Sequence, residues 1–570
     1  MNRLIAVIVL FLGLSLGVEN PVVGQETKRE LVTEYWDKDK KIISAQGYYR
    51  TEGFSDLGKK EGDWTFYFRN GKVQQNVFYV RGFKHGKATE FFATGKRKHE
   101  GYFYWDVPDS TMKTWNEQGI LIEEGNYCKG MKCGIWIYKY DDGKNYMQEE
   151  YADSILYLNQ YYNAEGVQEV KDGEGKRIVK FSNGKVKEEL EYSGGVKNGK
   201  YAEYSWSGKK IAEGAYAAGK MNGLWKVWLP DGTISLETNY SNDIRHGKHV
   251  QYYDNGTIQV AGNYNNGLKD GEWVWFARNG VKDIQGTFKD DLREGLWQQW
   301  HINGKLHSEG HFDNNKKTGT WKYYYEFGGL WKQGDFDNDF RTGLWTTWFE
   351  NGKKLQEGNY QKDMAHGLWQ SWYDNGQIKD EGSFKDGLME GQWRGWYPNG
   401  KISYQGNRLR DMQTGKWTFF FSNGKLKEEG EFKIVKRKDA LGEVYEYMKN
   451  EYEKSVKTGL WVMYGEKDGK KTGEGEFADG KMNGTWKYYY PGGEVAAVEV
   501  NYKNGDMHGK TTEFTPRGKK KMEMNYKDNL KHGDVLVFDK KEHVIMHTVY
   551  KEGRLIKDEI KKTKYKYSKN

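Results

Sequence analysis

This chain has little of what catalytic, metal-binding and membrane-spanning proteins are usually built from. Its 570 residues include 6 prolines and 2 cysteines, and Leu, Ile and Val are scarce beside 23 Trp, 42 Tyr and 25 Phe. Cys128 and Cys133 alone make a poor zinc site, which usually takes four ligands. In an exported chain they either close a short loop as one disulfide or stay as two thiols. No serine elbow, phosphate loop or nucleophilic cysteine context is present, and Asp172-Gly173-Glu174-Gly175 is too short for a calcium loop. We therefore assign no catalytic, cofactor or metal residues and expect no enzyme. An excess of one charge is also missing. The net charge is +8, and the last twenty residues hold eight Lys or Arg against three acids, leaving only +3 for the rest. That is a mixed-sign surface, not a nucleic-acid stripe.

Long apolar runs are confined to the start of the chain. Leu4 to Leu16 is too short to span a bilayer comfortably and suits a secretory signal. Val22 and Gly24 are small residues placed for cleavage before Gln25, and no cysteine follows for lipid attachment. The expectation is export to the periplasm, the cell surface or the medium, with a retained N-terminal anchor as the other reading.

What is abundant is glycine, 72 of them, and aromatic rings, which disordered chains lack. From Gly199 to Gly415 a glycine recurs every 24 residues. In most of these units Trp follows two residues later: Gly223 and Trp225, Gly271 and Trp273, Gly295 and Trp297, Gly319 and Trp321, Gly343 and Trp345, Gly367 and Trp369, Gly391 and Trp393, Gly415 and Trp417. Such a period marks a repeat array, whose function comes from an extended surface. Outside the perfect block Gly62, Gly86, Gly134, Gly459, Gly484, Gly509 and Gly533 continue the pattern, giving about nineteen units.

Within a unit two short runs flank Asn-Gly, as at Asn351-Gly352, which predicts a β-hairpin with a type I′ turn. Trp345 and Trp348, three apart, fall on opposite faces of a strand. The glycine before Trp either supplies positive φ or lets a neighbouring ring lie over bare backbone. The recurring Glu309, Glu357, Glu381 and Glu429 are expected to pair across strands with the turn lysines Lys305, Lys353 and Lys425.

The resulting organisation is a signal at 1–24, repeats at 25–140, an irregular insertion at 141–174, regular repeats at 175–432, a charged insertion at 433–456, repeats at 457–550 and a basic tail at 551–570. Off-period insertions often carry specificity, so Tyr445, Tyr447 and Tyr452 are candidate partner-binding residues. The second insertion shows no obvious stacking role.

The spaced Gly-x-Trp-x-x-Trp/Tyr, Asn-Gly-Lys and Glu-Gly-x-Tyr/Phe elements resemble the MORN repeat, and more closely its bacterial variant in YwqK-type antitoxin-like proteins. The resemblance covers about Leu31 to Gly553. It implies an all-β fold: 24-residue hairpins stacked into one long twisted, curved antiparallel sheet. For function it implies scaffolding of a protein partner, binding of membrane phospholipid, or, from the antitoxin label, neutralisation of a toxin. The departures are a Gly-x-Trp core in place of Tyr-x-Gly-x-Trp, and an export signal that sits badly with a cytoplasmic antitoxin. A protein partner is the first expectation, an envelope lipid or glycan the second.

Export is directly testable. N-terminal sequencing of protein recovered from the envelope or medium is expected to start at Gln25 or within a few residues of it. Intact Met1 on cytoplasmic protein would overturn the expectation.

Overall fold

The computed structural model describes residues 28–52, 57–438 and 451–560. Among them are 43 strands and no helix, so the chain is all-β. Two compact units are distinguished, Met1–Gly256 and Thr257–Asn570. The first holds the strands from Arg29–Tyr35 to Ile244–Tyr252, the second those from Ile258–Asn265 to Arg554–Ile560. Within each unit the sheet is antiparallel and nearly every strand packs only on the strands next to it in sequence.

The repeat is clearest around the lead strand Phe340–Trp348, the return strand Lys354–Gln361 and the next lead strand Met364–Trp372. The Asn-Gly turn differs from the type I′ expectation. The Phe349 N–H donates to the Lys353 carbonyl and the Gly352 N–H to the Phe349 carbonyl. Only Gly352 takes positive φ, 79°. This is a three-residue loop, a type I turn closed by glycine in the left-handed region. Asn351 is selected for another reason: its Oδ1 accepts the Lys353 N–H at 3.0 Å, which fixes the turn. The type I′ turn lies at the opposite end of the unit, where Lys362 and Asp363 have φ of 49° and 66°. Asp and Asn tolerate that region better than most residues, so the turn is built without an Asn-Gly pair.

Two glycines of each unit divide the two roles foreseen for one. Gly367, the glycine before Trp, has φ of 70° and sits where the ladder slips, between the pairs Asn359 with His366 and Gly358 with Trp369. Gly358, from Glu-Gly on the neighbouring strand, is the bare backbone: a Cβ there would meet the Trp369 ring at 2.1 Å. The same cross-strand contact joins Gly334 to Trp345, Gly310 to Trp321 and Gly406 to Trp417. The ring edge is anchored as well. Trp345 Nε1 donates to the Asp335 carbonyl at 3.1 Å and Trp369 Nε1 to the Asn359 carbonyl at 3.0 Å, each beside the slip. Trp393 is an exception, its Nε1 having no partner among the described residues. Rings from the return strands close the row edge-on, Phe336 on Trp345 at 5.1 Å and Tyr360 on Trp369 at 5.0 Å. The repeated tryptophans, Trp225 to Trp417, are 1–8% exposed, so they are interior rather than contact surface.

Both edges of the sheet are stitched from unit to unit. Asn351 Nδ2 donates to the Asp374 carbonyl, and Lys353 Nζ to the Asn375 carbonyl, both in the next Asn-Gly loop. Lys305 reaches Phe327 O and Lys425 reaches Lys467 O in the same way. The turn lysines are thus not the partners of the Glu row. Glu357 bonds Lys354 and the Thr346 hydroxyl, Glu309 bonds Tyr324 and Gln298, Glu381 bonds Gln370, and Glu429 bonds Lys416 and Tyr464. At the type I′ edge the Asp363 carboxylate accepts the Arg341 N–H at 2.9 Å, and Asp339 accepts that of Lys317 at 2.8 Å.

Three stretches depart from the sequence reading. Residues 141–174 are not an irregular insertion: Asn145–Ala152, Ile155–Tyr162 and the short Gln168–Lys171 continue the sheet. Their core is Leu158, Tyr161, Val170 and Leu190, with no Trp at the repeat position. The described parts of the charged insertion, 433–438 and 451–456, prolong one hairpin, Leu426–Lys438 against Glu451–Tyr464. Its base does have a stacking role. Val456 is buried, Ser455 Oγ donates to the Gln413 carbonyl, and Glu453 pairs with Arg410 at 2.7 Å. The basic tail begins as a strand, Arg554–Ile560, paired with Val544–Lys551. Cys128 and Cys133 are joined in a disulfide next to a turn, Cα atoms 5.7 Å apart.

Because each unit touches only its neighbours, damage should stay local. Trp345→Ala should cost about 3–5 kcal/mol, and Gly358→Ala about 1–3 kcal/mol through overpacking against Trp369. Hydrogen exchange should show faster opening of the adjoining hairpins only. Protection lost evenly through residues 257–560 would contradict this packing.

Candidate binding groove

The face that buries the Trp row carries a second periodic feature that the sequence reading missed. Two residues before the repeat glycine stands a cation in five consecutive hairpins, Arg245, Lys269, Arg293, Lys317 and Arg341, the last four in the second unit, and the same offset is basic elsewhere, as at Lys60 and Lys132. It follows the type I′ turn and leans over the aromatic row. The Lys269 ammonium lies 4.9 Å from the Trp273 ring centre and 5.0 Å from Phe288. Arg293 lies 3.9 Å from Phe312, Lys317 4.3 Å from Trp321, and Arg341 3.9 Å from Tyr360. Each such contact contributes about 0.5–1 kcal/mol when exposed and about 2 when desolvated. Lys332, on a return strand, adds a fifth cation at 4.6 Å from Tyr323 and 4.3 Å from Trp331.

Arg293, Lys317, Lys332 and Arg341 border a groove along the second unit. One part is lined by Arg293, Gln299, Ser308, Lys317 and Tyr323, the next by Tyr323, Lys332, Arg341, Thr347 and Gln356. No carboxylate lines either part. Arg341 is held from the rim, its Nε 2.9 Å from Asp363, and Arg293 Nη2 donates to the Asn315 carbonyl. Lys317 and Lys332 have no ion-pair partner among the described residues. Burial pushes both ammonium groups below the usual lysine range; the rim charge of Asp339 opposes this for Lys317, and the neighbouring cations reinforce it. His307, also in the groove, is pushed down by burial and by His301. Burial raises the Tyr323 hydroxyl to about 12, so it remains a donor at all ordinary pH.

The groove changes character further along. Asp380 stands where Lys332 and Gln356 stand in earlier units, and it accepts the Tyr404 hydroxyl at 2.6 Å. In the first unit the equivalent surface mixes signs: Glu123 holds the position of Lys332 and Glu90 that of Thr347. There Lys132 Nζ pairs with Glu123 at 3.1 Å. The acid-free stretch is therefore local and is not imposed by the repeat.

Of the residues singled out for binding, Tyr445 and Tyr447 lie outside the described residues. Tyr452 is exposed on the prolonged hairpin, opposite Arg437 and away from the groove lining. The opposite face carries half-buried Trp348 and Trp372, the paired Glu row, and an exposed apolar series that includes Leu292, Leu296, Phe340, Leu344, Met364 and Leu368.

Ten segments match the family model described as MORN repeat variant: residues 60–81, 245–266, 293–314, 317–338, 341–362, 365–386, 389–408, 413–433, 482–504 and 507–528. They support a MORN-repeat protein. No curated protein matches the chain. Among solved structures it is similar to chains titled "Crystal Structure of TcdB2-TccC3-Cdc42" and "Crystal Structure of TcdB2-TccC3", each at 10% identity and a TM-score of 0.13. These matches cover 91% and 92% of this chain but 32% and 31% of theirs, so it spans about a third of their length.

A half-buried cation without a carboxylate is kept at a cost to stability. Lys332→Met should raise the thermal midpoint, by up to about 1 kcal/mol of stability. Arg341→Met, which removes the ion pair with Asp363 and the cation over the Tyr360 ring, should lower it. Calorimetry of both variants decides, and a destabilised Lys332→Met would mean that this lysine serves the scaffold.

Proposed function

We propose that this MORN-repeat chain is an exported, non-enzymatic scaffold that binds a protein partner along the aromatic and cationic groove of its second unit. The observation that carries the reading is the segregation of charge. Lys317 and Lys332 lie half-buried and without ion pairs in a stretch whose lining holds no carboxylate, the Lys317 Nζ donating to the Tyr323 hydroxyl, while the position of Lys332 is taken by a satisfied acid at Glu123 and Asp380. Where an acid stands at that position the cation is neutralised, as Lys132 is by Glu123. The stitched edges leave no free strand for partner pairing between units, so recognition falls to the faces. Export rests on the N-terminal segment, which lies outside the described residues.

A second reading, contact with an envelope lipid surface, draws on the exposed apolar series of the opposite face. It calls on Leu344 and Leu368 and not on the groove cations, so the two readings separate by mutation. The test is capture from envelope extract with the full chain, followed by direct binding of the purified candidate. The Lys317→Glu, Lys332→Glu double variant should lose the partner while Leu344→Ser, Leu368→Ser retains it. Equal capture by both variants would exclude the groove.

A further inference from the structure

We infer that the groove of the second unit accepts an extended acidic peptide in the polyproline II conformation, with a carboxylate at every third residue. This rests on the groove being the partner site and names the chemistry of the partner.

Direction is the first argument. The groove crosses the strands, because Lys269, Arg293, Lys317 and Arg341 occupy the same position in successive hairpins. A chain lying along it runs perpendicular to the ladder. Each strand there is paired on both sides, so the occupant gains no main-chain ladder bonds. A conformation that needs no internal or lateral backbone bonds is favoured, and polyproline II has neither.

Phase is the second. Adjacent strands lie about 4.8 Å apart, which places one cation of the row every ~9.6 Å. Polyproline II has three residues per turn and a rise of about 3.1 Å, so like side chains recur on one face every ~9.3 Å. Over the three intervals from Lys269 to Arg341 the two periods drift apart by only about 1 Å, within the reach of Lys, Arg and Glu side chains. A β-strand matches the distance, but residues three apart point to opposite faces. Two turns of α-helix span about 10.8 Å, drifting by nearly 4 Å over the same stretch.

Charge and surface are the third. Lys317 and Lys332 lack ion-pair partners, Arg293 is held only by an amide, and no carboxylate lines the groove between Arg293 and Gln356. The carboxylates near the row, Asp339 and Asp363, stay at the turn edge, bonded to main-chain N–H groups, and Asp363 also holds the Arg341 guanidinium from the rim. Ring edges of Tyr323 and Tyr360 line the floor between the cations and suit the apolar faces of proline rings.

The test uses the full chain and a fluorescent (Glu-Pro-Pro)n peptide of about eight repeats, long enough to cover the row. Fluorescence anisotropy should show saturable binding that weakens with salt. A peptide of the same composition with its glutamates irregularly placed should bind about tenfold more weakly, and (Lys-Pro-Pro)n not at all. Lys332→Gln and Lys317→Glu should each lose about tenfold in affinity, with hydrogen-exchange protection of the neighbouring strands unchanged. The inference fails if the phased peptide does not bind, if the permuted peptide binds as well, or if the groove variants bind unchanged. It also fails if anionic phospholipid vesicles bind through Lys317 and Lys332 where the peptide does not. Groove-dependent capture from envelope extract without peptide binding would sink the inference and leave the partner-site reading intact. Loss of both would sink both.

Discussion

One contact organises most of the repeats: an indole ring laid flat on a glycine of the strand beside it. Among the described residues each compact unit is a sheet whose strands pack on their neighbours and on no second layer, so the usual source of a core, another sheet or helix against one face, is missing there. The interior has to be made within the thickness of the sheet. A ring the size of Trp369 fits there only because Gly358 opposite has no side chain. The ring must also be aimed, which the left-handed turn of the backbone at Gly367 accomplishes by slipping the register. The indole Nε1 then donates to the carbonyl beside the slip, so that neither the indole nor the carbonyl stays unpaired. Bulge, bare backbone and ring form one device. It needs both strands of a junction between hairpins, which is why it recurs once per 24 residues.

Much of the remaining repeat follows from stacking this device. Identical turns arrive above one another, so a side chain that bonds forward to the next turn can be repeated without limit. Asn351 and Lys353 do this along one edge, and along the other Asp363 accepts from Arg341 beside the preceding turn. Those bonds use up the polar groups of the edges. The scaffold residues are thereby committed, and the positions left to vary are the middle of each face.

This division explains what the sequence discloses and what it withholds. Fold class was legible because Gly-x-Trp repeats with so little variation. The turns were assigned to the wrong end because Asn-Gly is the strongest hairpin signal, yet here Asn serves through its side chain and only Gly352 needs positive φ. The true type I′ turns, such as Lys362-Asp363, carry no comparable dipeptide. The strands within 141–174 were missed because Leu158 and Val170 replace the aromatic core and one strand is only four residues long. The role of Val456 was hidden for a similar reason: its burial depends on neighbouring turns that are not adjacent in sequence. The cation row was visible at a fixed offset from the glycine, but an ammonium in a charged sequence means nothing until its surroundings are known. Only the fold shows Lys132 neutralised by Glu123 and Lys332 left alone.

Selection on such an array therefore acts at two levels that hardly interfere. The Trp–Gly device and the edge bonds fix spacing and recur with the same residues in most units, so they carry no information about a partner. The groove positions are under no such demand, as Lys332, Gln356 and Asp380 show by occupying one place in successive units. On the reading proposed above, specificity is written as a sequence of charges along a ruler that the repeat supplies. A ruler with one mark per hairpin reads most faithfully a ligand whose own period is close to that mark. It reads least faithfully one that presents its charge irregularly, because adding units to the array then adds area without adding matched pairs.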